Sequence, residues 1–205
     1  MSKLKLYGIA NSRAFRSIWA VEEMGLDYEH VGTTFSEDSK TEEYLEVNPN
    51  GRIPALVDGD LKLFESMAIN MYLGETYAKY LLPQGAKGRA RTWQWSIWGI
   101  SEIEPLQMQI VVEKFFTPED RKNPKVVARA EKGLARPLKV LDGALSSQSY
   151  LLGDEFTLAD LNLAGVMDLF NMIRPDISEW QHVRRWLDAC YARPSYASAK
   201  AVGGS

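Results

Sequence analysis

Residues 48–73, NPNGRIPALVDGDLKLFESMAINMYL, constrain this chain more tightly than any other stretch of it. They read as a loop, a proline-headed strand, a turn at Asp58-Gly59, a second strand, and a helix that opens at Glu65-Ser66. An Asp-Gly pair between two short apolar runs folds the strands back on each other. Pro54 has no N–H and holds Ile53 extended, so the main-chain N–H and C=O of Ile53 are expected to stay available to another peptide, which would pair there as an added strand. Ser66 is a good N-cap residue, and the N–H groups of a helix starting there attract a carboxylate. Singly, a proline after an aliphatic residue is an edge-strand stop and a serine at a helix start is a cap. In combination they suit a small peptide bearing carboxylates better than a metal, a nucleotide or a nucleic acid.

Composition narrows the field further. The 205 residues are 45% apolar and 25% charged, ordinary for a globular chain with room for two modest domains. A formal net charge of −3 and a pI near 5.5, with no run of Lys or Arg, give no electrostatic reason to bind a phosphate backbone. The opening MSKLKLYGIANSR has too short an apolar core for a secretion signal, and no stretch reaches the roughly 18 apolar residues that span a bilayer. A cytoplasmic location is the expectation. Cys190 is the single cysteine, so no internal disulfide forms. It falls in line with Val183, Trp186 and Leu187 at helical spacing, the pattern of a buried core thiol rather than a nucleophile.

Before residue 48, the alternation Lys3-Leu4-Lys5-Leu6-Tyr7 predicts a half-buried strand, and Phe15, Ile18, Trp19 and Val21 predict a helix over 14–24, stopped by Gly25. Tyr28 to Val31 reads as a strand and Glu42 to Val47 as a brief helix. The order strand, helix, strand, helix, strand, strand, helix fits a small mixed sheet of the thioredoxin-like kind. No CxxC is present, which excludes dithiol exchange. Residues 82–88, LPQGAKG, read as a linker between an α/β domain over 1–81 and an all-helical domain over 89–205. In the second domain, Trp93, Ile97 and Ile100 lie at helical spacing, with Trp95 and Trp98 on adjoining faces, and Pro105 should bend or end that helix. Asn123-Pro124 opens a helix through Leu145 that contains Pro137. Thr157 caps the next helix, Asp160 returns a bond to the Thr157 N–H, and Phe156 staples onto Leu161. The final helix ends in Ala192-Arg193-Pro194-Ser195.

The succession NPxG, aliphatic-Pro-Ala-Leu, Asp-Gly and Glu-Ser before a helix resembles the glutathione-binding half of the cytosolic glutathione S-transferase family, of the bacterial type without a cysteine in its first loop. The capping box after Gly153 and the Ala-Arg-Pro-Ser ending resemble that family's helical domain, so the likeness covers nearly the whole chain. It implies a thioredoxin-like N-terminal domain with an all-α C-terminal domain. It also implies conjugation of the thiolate of reduced glutathione to small hydrophobic electrophiles, with peroxidase or isomerase side activity open, no metal, and a twofold homodimer. A different reading keeps the fold as a non-catalytic binding or regulatory module.

By the same resemblance, Ile53 pairs its backbone with the cysteinyl part of glutathione beside a cis Pro54. Glu65 and Ser66 hold the γ-glutamyl amine and carboxylate, and Arg52 and Lys40 bind the glycine carboxylate. The thiol must ionise. A free thiol has a pKa of about 8.5, and lowering it by two units takes roughly 2.7 kcal/mol of preference for the anion, within reach of one or two hydrogen bonds. The loop from Gly8 to Arg13 is where the donor would sit: Asn11 falls at the family's serine position, Ser12 follows it, and Tyr7 matches the tyrosine of another branch. Asn11, Ser12, Tyr7 and backbone N–H groups all remain open as the activator. Ile9, Trp98, Glu102 and Met108 are candidates for the electrophile pocket.

Overall fold

In the computed structural model, which describes residues 4–203, the predicted alternation becomes strand β1 (Leu4–Tyr7), with Leu4 and Leu6 buried and Lys5 and Tyr7 partly exposed. Lys3 lies outside the described residues. Helix α1 (Phe15–Glu23) buries Phe15, Ile18, Trp19 and Val21, and β2 (Tyr28–Val31) follows. Helix α2 (Glu42–Leu45) is capped by the Thr41 hydroxyl, which accepts from the Tyr44 N–H at 3.3 Å. Strands β3 (Ala55–Asp58) and β4 (Leu61–Phe64) form the hairpin, and α3 (Ser66–Tyr77) packs its buried Ile69 and Leu73 into the same unit.

The sheet runs β2-β1-β3-β4, with β1 parallel to β2 and antiparallel to β3. Two expectations change here. Asp58 pairs with Leu61, so the turn residues are Gly59 and Asp60, with Gly59 taking the positive φ of 64°. And β3 is an interior strand with both edges filled, so an incoming peptide cannot extend the sheet along it. Ile53, one proline short of the strand, still keeps main-chain groups to offer.

The chain divides into two compact units, one running to Pro83 and resuming at Tyr191, the other covering residues 84–190. In the second, α4 (Gly85–Trp98) begins inside the stretch read as linker. Pro105 neither ends the helical run nor leaves it regular. The chain widens into a π turn at Gly99–Ile103 and continues as α5 (Glu104–Val111), with Pro105 in the first turn of α5. Helix α6 (Pro124–Ala144) opens as predicted, the Asn123 side chain accepting from the Lys125 N–H at 3.1 Å, and carries Pro137 internally. Helix α7 (Leu158–Met167) is buried at all ten positions, the polar Asp160 and Asn162 among them. The short α8 (Phe170–Ile173) and α9 (Gln181–Tyr191) complete this unit, with Cys190 buried beside Val183, Trp186 and Leu187.

Pro194 does not mark the end of the last helix. It is the first residue of a further one, α10 (Pro194–Ala201), a position its fixed φ favours, and α10 packs on α1 in the first unit. Trp19 donates from Nε1 to the Ser195 hydroxyl at 3.0 Å, and Arg193 forks onto the Glu23 carboxylate, whose side chain is only 7% exposed.

Candidate functional site

Three segments leave the sheet at one rung. Ala55 pairs with Tyr7 on one side and Phe64 on the other. The chain after β1, the Ile53-Pro54 pair before β3 and the Glu65-Ser66 pair after β4 therefore emerge together at one end of the sheet. Contact bears this out: a Cβ placed on Gly8 would lie 3.5 Å from the Ile53 Cβ.

At the centre, the Ile53-Pro54 peptide bond is cis, and the Ile53 N–H and C=O make no hydrogen bond among the described residues. Their direction is held by the residue before. The Arg52 carbonyl accepts from the Tyr44 hydroxyl and from Asn48 Nδ2, both at 2.6 Å. A peptide unit is planar, so pinning that carbonyl also aims the Ile53 N–H. Asn48 is buried, and its Oδ1 accepts from the backbone N–H and the side-chain amide of Asn50, both at 3.1 Å. Burial pushes the Tyr44 phenol up to about 12, so it remains a donor across the neutral range. The Lys40 ammonium donates to the Gly51 carbonyl in the same loop, while the exposed Arg52 guanidinium has no partner among the described residues.

The start of α3 differs from the expected cap. Glu65 holds the N-cap position at φ 72°, ψ 112°, a conformation that a non-glycine residue adopts only where its surroundings impose it. Ser66 is the first residue of the helix proper and is buried, and the helical ladder opens with the Ile69 N–H bonded to the Glu65 carbonyl at 2.9 Å. The three N–H groups of Ser66, Met67 and Ala68 therefore have no intrahelical acceptor, an arrangement suited to an anion, next to the exposed Glu65 carboxylate.

The loop after β1 is tightly organised. Gly8 has φ 136°, and a Cβ there would stand 2.3 Å from the Ala14 Cβ. The Ser12 hydroxyl donates to the Ile9 carbonyl at 2.7 Å and accepts from the Ala14 N–H at 3.0 Å, so its one proton is already committed. Asn11 is exposed, and its side-chain amide has no partner among the described residues. Tyr7 is half-buried, with its ring edge-on to Tyr44 at 5.7 Å in a small cluster with Ile53, Ala55 and Ile9. Its hydroxyl makes no hydrogen bond among the described residues.

The chain has counterparts among known proteins. The glutathione S-transferase N-terminal domain family matches residues 2–75, and the glutathione S-transferase C-terminal domain family matches residues 103–194. Glutathione S-transferase 3 of Zea mays is 35% identical, the match covering 98% of this chain and 95% of that protein. The chain belongs to the glutathione S-transferase family. Among solved structures, a glutathione S-transferase-I bound with lactoylglutathione superposes with a TM-score of 0.88 at 31% identity, over 98% of this chain and 100% of the other. The theta class transferase of Xanthomonas axonopodis pv. citri, with glutathione bound, gives a TM-score of 0.89 at 29% identity over 98% of both chains.

Within this family member, the structure brings Tyr7, Asn11, Ser12, Lys40, Arg52, Ile53, Pro54, Glu65 and Ser66 together in the first unit, on the segments that meet at the Ala55 rung and the loop beside them. Ile9 belongs there too, packed against the Tyr44 cluster. Trp98 ends α4 in the second unit, edge-on to Trp95 at 5.2 Å, with Glu102 in the π turn and Met108 on α5. Sequence reasoning passed over Tyr44, and it took Gly8 and Asn48 only as the first residues of a loop and a motif, with no role of their own. Asn48 opens the NPNG motif itself, and Tyr44 stands four residues before it, one helical turn away. That spacing was the available signal that both reach the same carbonyl.

Proposed function

We infer that this glutathione S-transferase binds reduced glutathione along Ile53 and conjugates its thiolate to small hydrophobic electrophiles. The observation that carries the reading is the unpartnered Ile53 main chain, aimed by Tyr44 and Asn48 and flanked by the open first turn of α3. In this reading, the cysteinyl backbone of glutathione pairs with Ile53. The γ-glutamyl carboxylate sits at the Ser66 end of α3 and its ammonium beside Glu65. The glycine carboxylate is met by Arg52, whose guanidinium is uncommitted, with Lys40 as the secondary cation because it already donates to Gly51. Calorimetry with reduced glutathione tests this directly: no heat of association at millimolar concentration would overturn it. Retention on immobilised glutathione without turnover of a generic aryl halide would favour the non-catalytic module instead.

For the thiol, Asn11 is the preferred donor, because its amide is free while the Ser12 proton is held by Ile9. Asn11→Ala is expected to raise the apparent pKa of bound glutathione by about one unit, the worth of one hydrogen bond to a charged group. Ser12→Ala and Tyr7→Phe should leave it nearly unchanged, as followed by thiolate absorbance against pH. A shift confined to Ser12→Ala or Tyr7→Phe would move the role to that residue.

The protein is further proposed to be a cytoplasmic homodimer. Family membership supports both, and Trp93 and Ile97, 40% and 52% exposed one helical turn apart on α4, support the dimer. Sedimentation is expected at about twice the 23.1 kDa chain mass, and a monomeric boundary at micromolar protein would contradict the dimer.

A further inference from the structure

His30 lies on β2, outside the three segments of the proposed glutathione site, yet its ring reaches one of them. Its Nε2 is 2.7 Å from the Gly8 carbonyl oxygen. A carbonyl only accepts, so this contact is a hydrogen bond only with the proton on Nε2, which fixes His30 as a donor at that nitrogen. The Gly8 N–H donates to the Val31 carbonyl at 3.0 Å, so both main-chain groups of Gly8 are tied to neighbouring residues of β2. The ring is backed by the C-terminal turn: a Cβ on Gly203 would come within 3.2 Å of His30 Cε1.

What this fixes is a peptide plane. Gly8 is the most permissive point in the loop, and without the imidazole its carbonyl would have no partner and the Gly8-Ile9 peptide could rotate. The Ile9 carbonyl, one peptide further on, accepts from the Ser12 hydroxyl, which in turn accepts from the Ala14 N–H at the start of α1. Asn11 sits between Ile9 and Ser12. Orientation thus passes from β2 through His30, Gly8, Ile9 and Ser12 to the loop that carries the thiol donors.

We propose that His30 is a positioning residue for thiolate formation, holding the Gly8–Arg13 loop in register through the Gly8 carbonyl without touching glutathione. The inference rests on the glutathione site proposed above and adds a residue to it. Its test compares two amides of different reach. In His30→Gln, the side-chain nitrogen falls near the original Nε2 and can donate to Gly8. In His30→Asn it falls near Nδ1 and cannot. Both are uncharged amides that differ by one methylene, so a difference between them reports reach rather than loss of the imidazole as such.

The bound-thiol titration and the conjugation rate are measured on the full chain. His30→Asn is expected to lower kcat about tenfold or more, the order of effect that a small misplacement of a reacting group produces, and to raise the apparent pKa of bound glutathione. The loss is expected mainly in kcat rather than wholly in KM, since in this reading His30 touches neither substrate and acts through the position of the thiol donor. His30→Gln should return most of the rate. Equal behaviour of the two variants, or a loss in His30→Asn that falls wholly on KM, would overturn the proposal. Failure of the unsubstituted protein to bind glutathione would remove the site, and His30's role with it. Normal binding with an unaltered thiol pKa in His30→Asn would leave the site standing and remove His30 alone.

Discussion

Asp160→Ala is expected to cost about 3–5 kcal/mol of stability, the scale seen when one partner of a buried, fully engaged charged group is removed. The carboxylate is fully buried and accepts four hydrogen bonds. Oδ1 takes the Leu151 N–H at 2.8 Å and the Trp186 Nε1–H at 2.9 Å. Oδ2 takes the Thr157 N–H at 2.9 Å and the Thr157 hydroxyl at 2.8 Å. Alanine leaves all of these donors facing apolar surroundings, at about 1–3 kcal/mol for each one that cannot find water. Part of this is offset. Burial pushes the Asp160 carboxyl upward against the pull of its donors, so the native group already bears a desolvation cost that alanine escapes. Because the carboxylate joins the Tyr150–Gly153 turn, the start of α7 and Trp186 of α9, its loss should loosen the second unit as a whole. Urea unfolding followed by tryptophan fluorescence measures the difference. A loss below about 1 kcal/mol would show that the donors find other acceptors. Asp160→Asn should fall between, since its one oxygen serves one pair of donors while its NH2 group faces the other.

Gly8→Ala is expected to weaken glutathione binding by about 100-fold, or roughly 3 kcal/mol, the combined scale of a strained backbone conformation and an overpacked contact. No L side chain is comfortable at φ 136°, and the added methyl would stand 2.3 Å from the Ala14 Cβ and 3.5 Å from the Ile53 Cβ. Ala14 is fully buried at the head of α1 and cannot retreat, so the loop that carries Asn11 and Ser12 must shift instead. Calorimetric affinity checks the size of the effect, and thermal unfolding of the same sample separates a moved loop from a lost fold. Gly143→Ala is the contrasting case. Gly143 lies within α6 with nothing inside 4 Å of a built Cβ, and the change should stabilise by about 0.5–1 kcal/mol through helix propensity without touching binding. Comparable glutathione affinity in Gly8→Ala and the parent would mean that the Gly8 turn is not part of the site.

The elements that could be read from the sequence are those with local causes. Apolar alternation placed β1, and helical spacing placed α1. The Asn-Pro pair opened α6 at the expected residue, and the bond from the Thr157 N–H to Asp160 follows from a spacing of three residues. Local signals erred where two conformations share the same chemistry. Ser66 has the side chain of a cap but lies one residue inside α3, because Glu65 is held in a strained backbone state that no propensity favours. Pro194 carries the same residue-level signal whether it closes one helix or opens the next, and here the packing of α10 on α1 decides for opening.

From sequence alone came the β3-β4 hairpin, with its turn read one residue early, the free main chain expected at Ile53, the family, and a set of candidate residues that do emerge at one end of the sheet. Each of these depends on neighbours a few positions apart, where backbone geometry and side-chain chemistry act directly. Tertiary structure alone decided that β3 is interior and that His30 reaches Gly8 from another strand. The physical reason is that a hydrogen bond is specified by distance and angle between two groups. Whether residues distant in sequence satisfy both is settled only when the sheet has brought them to the same place.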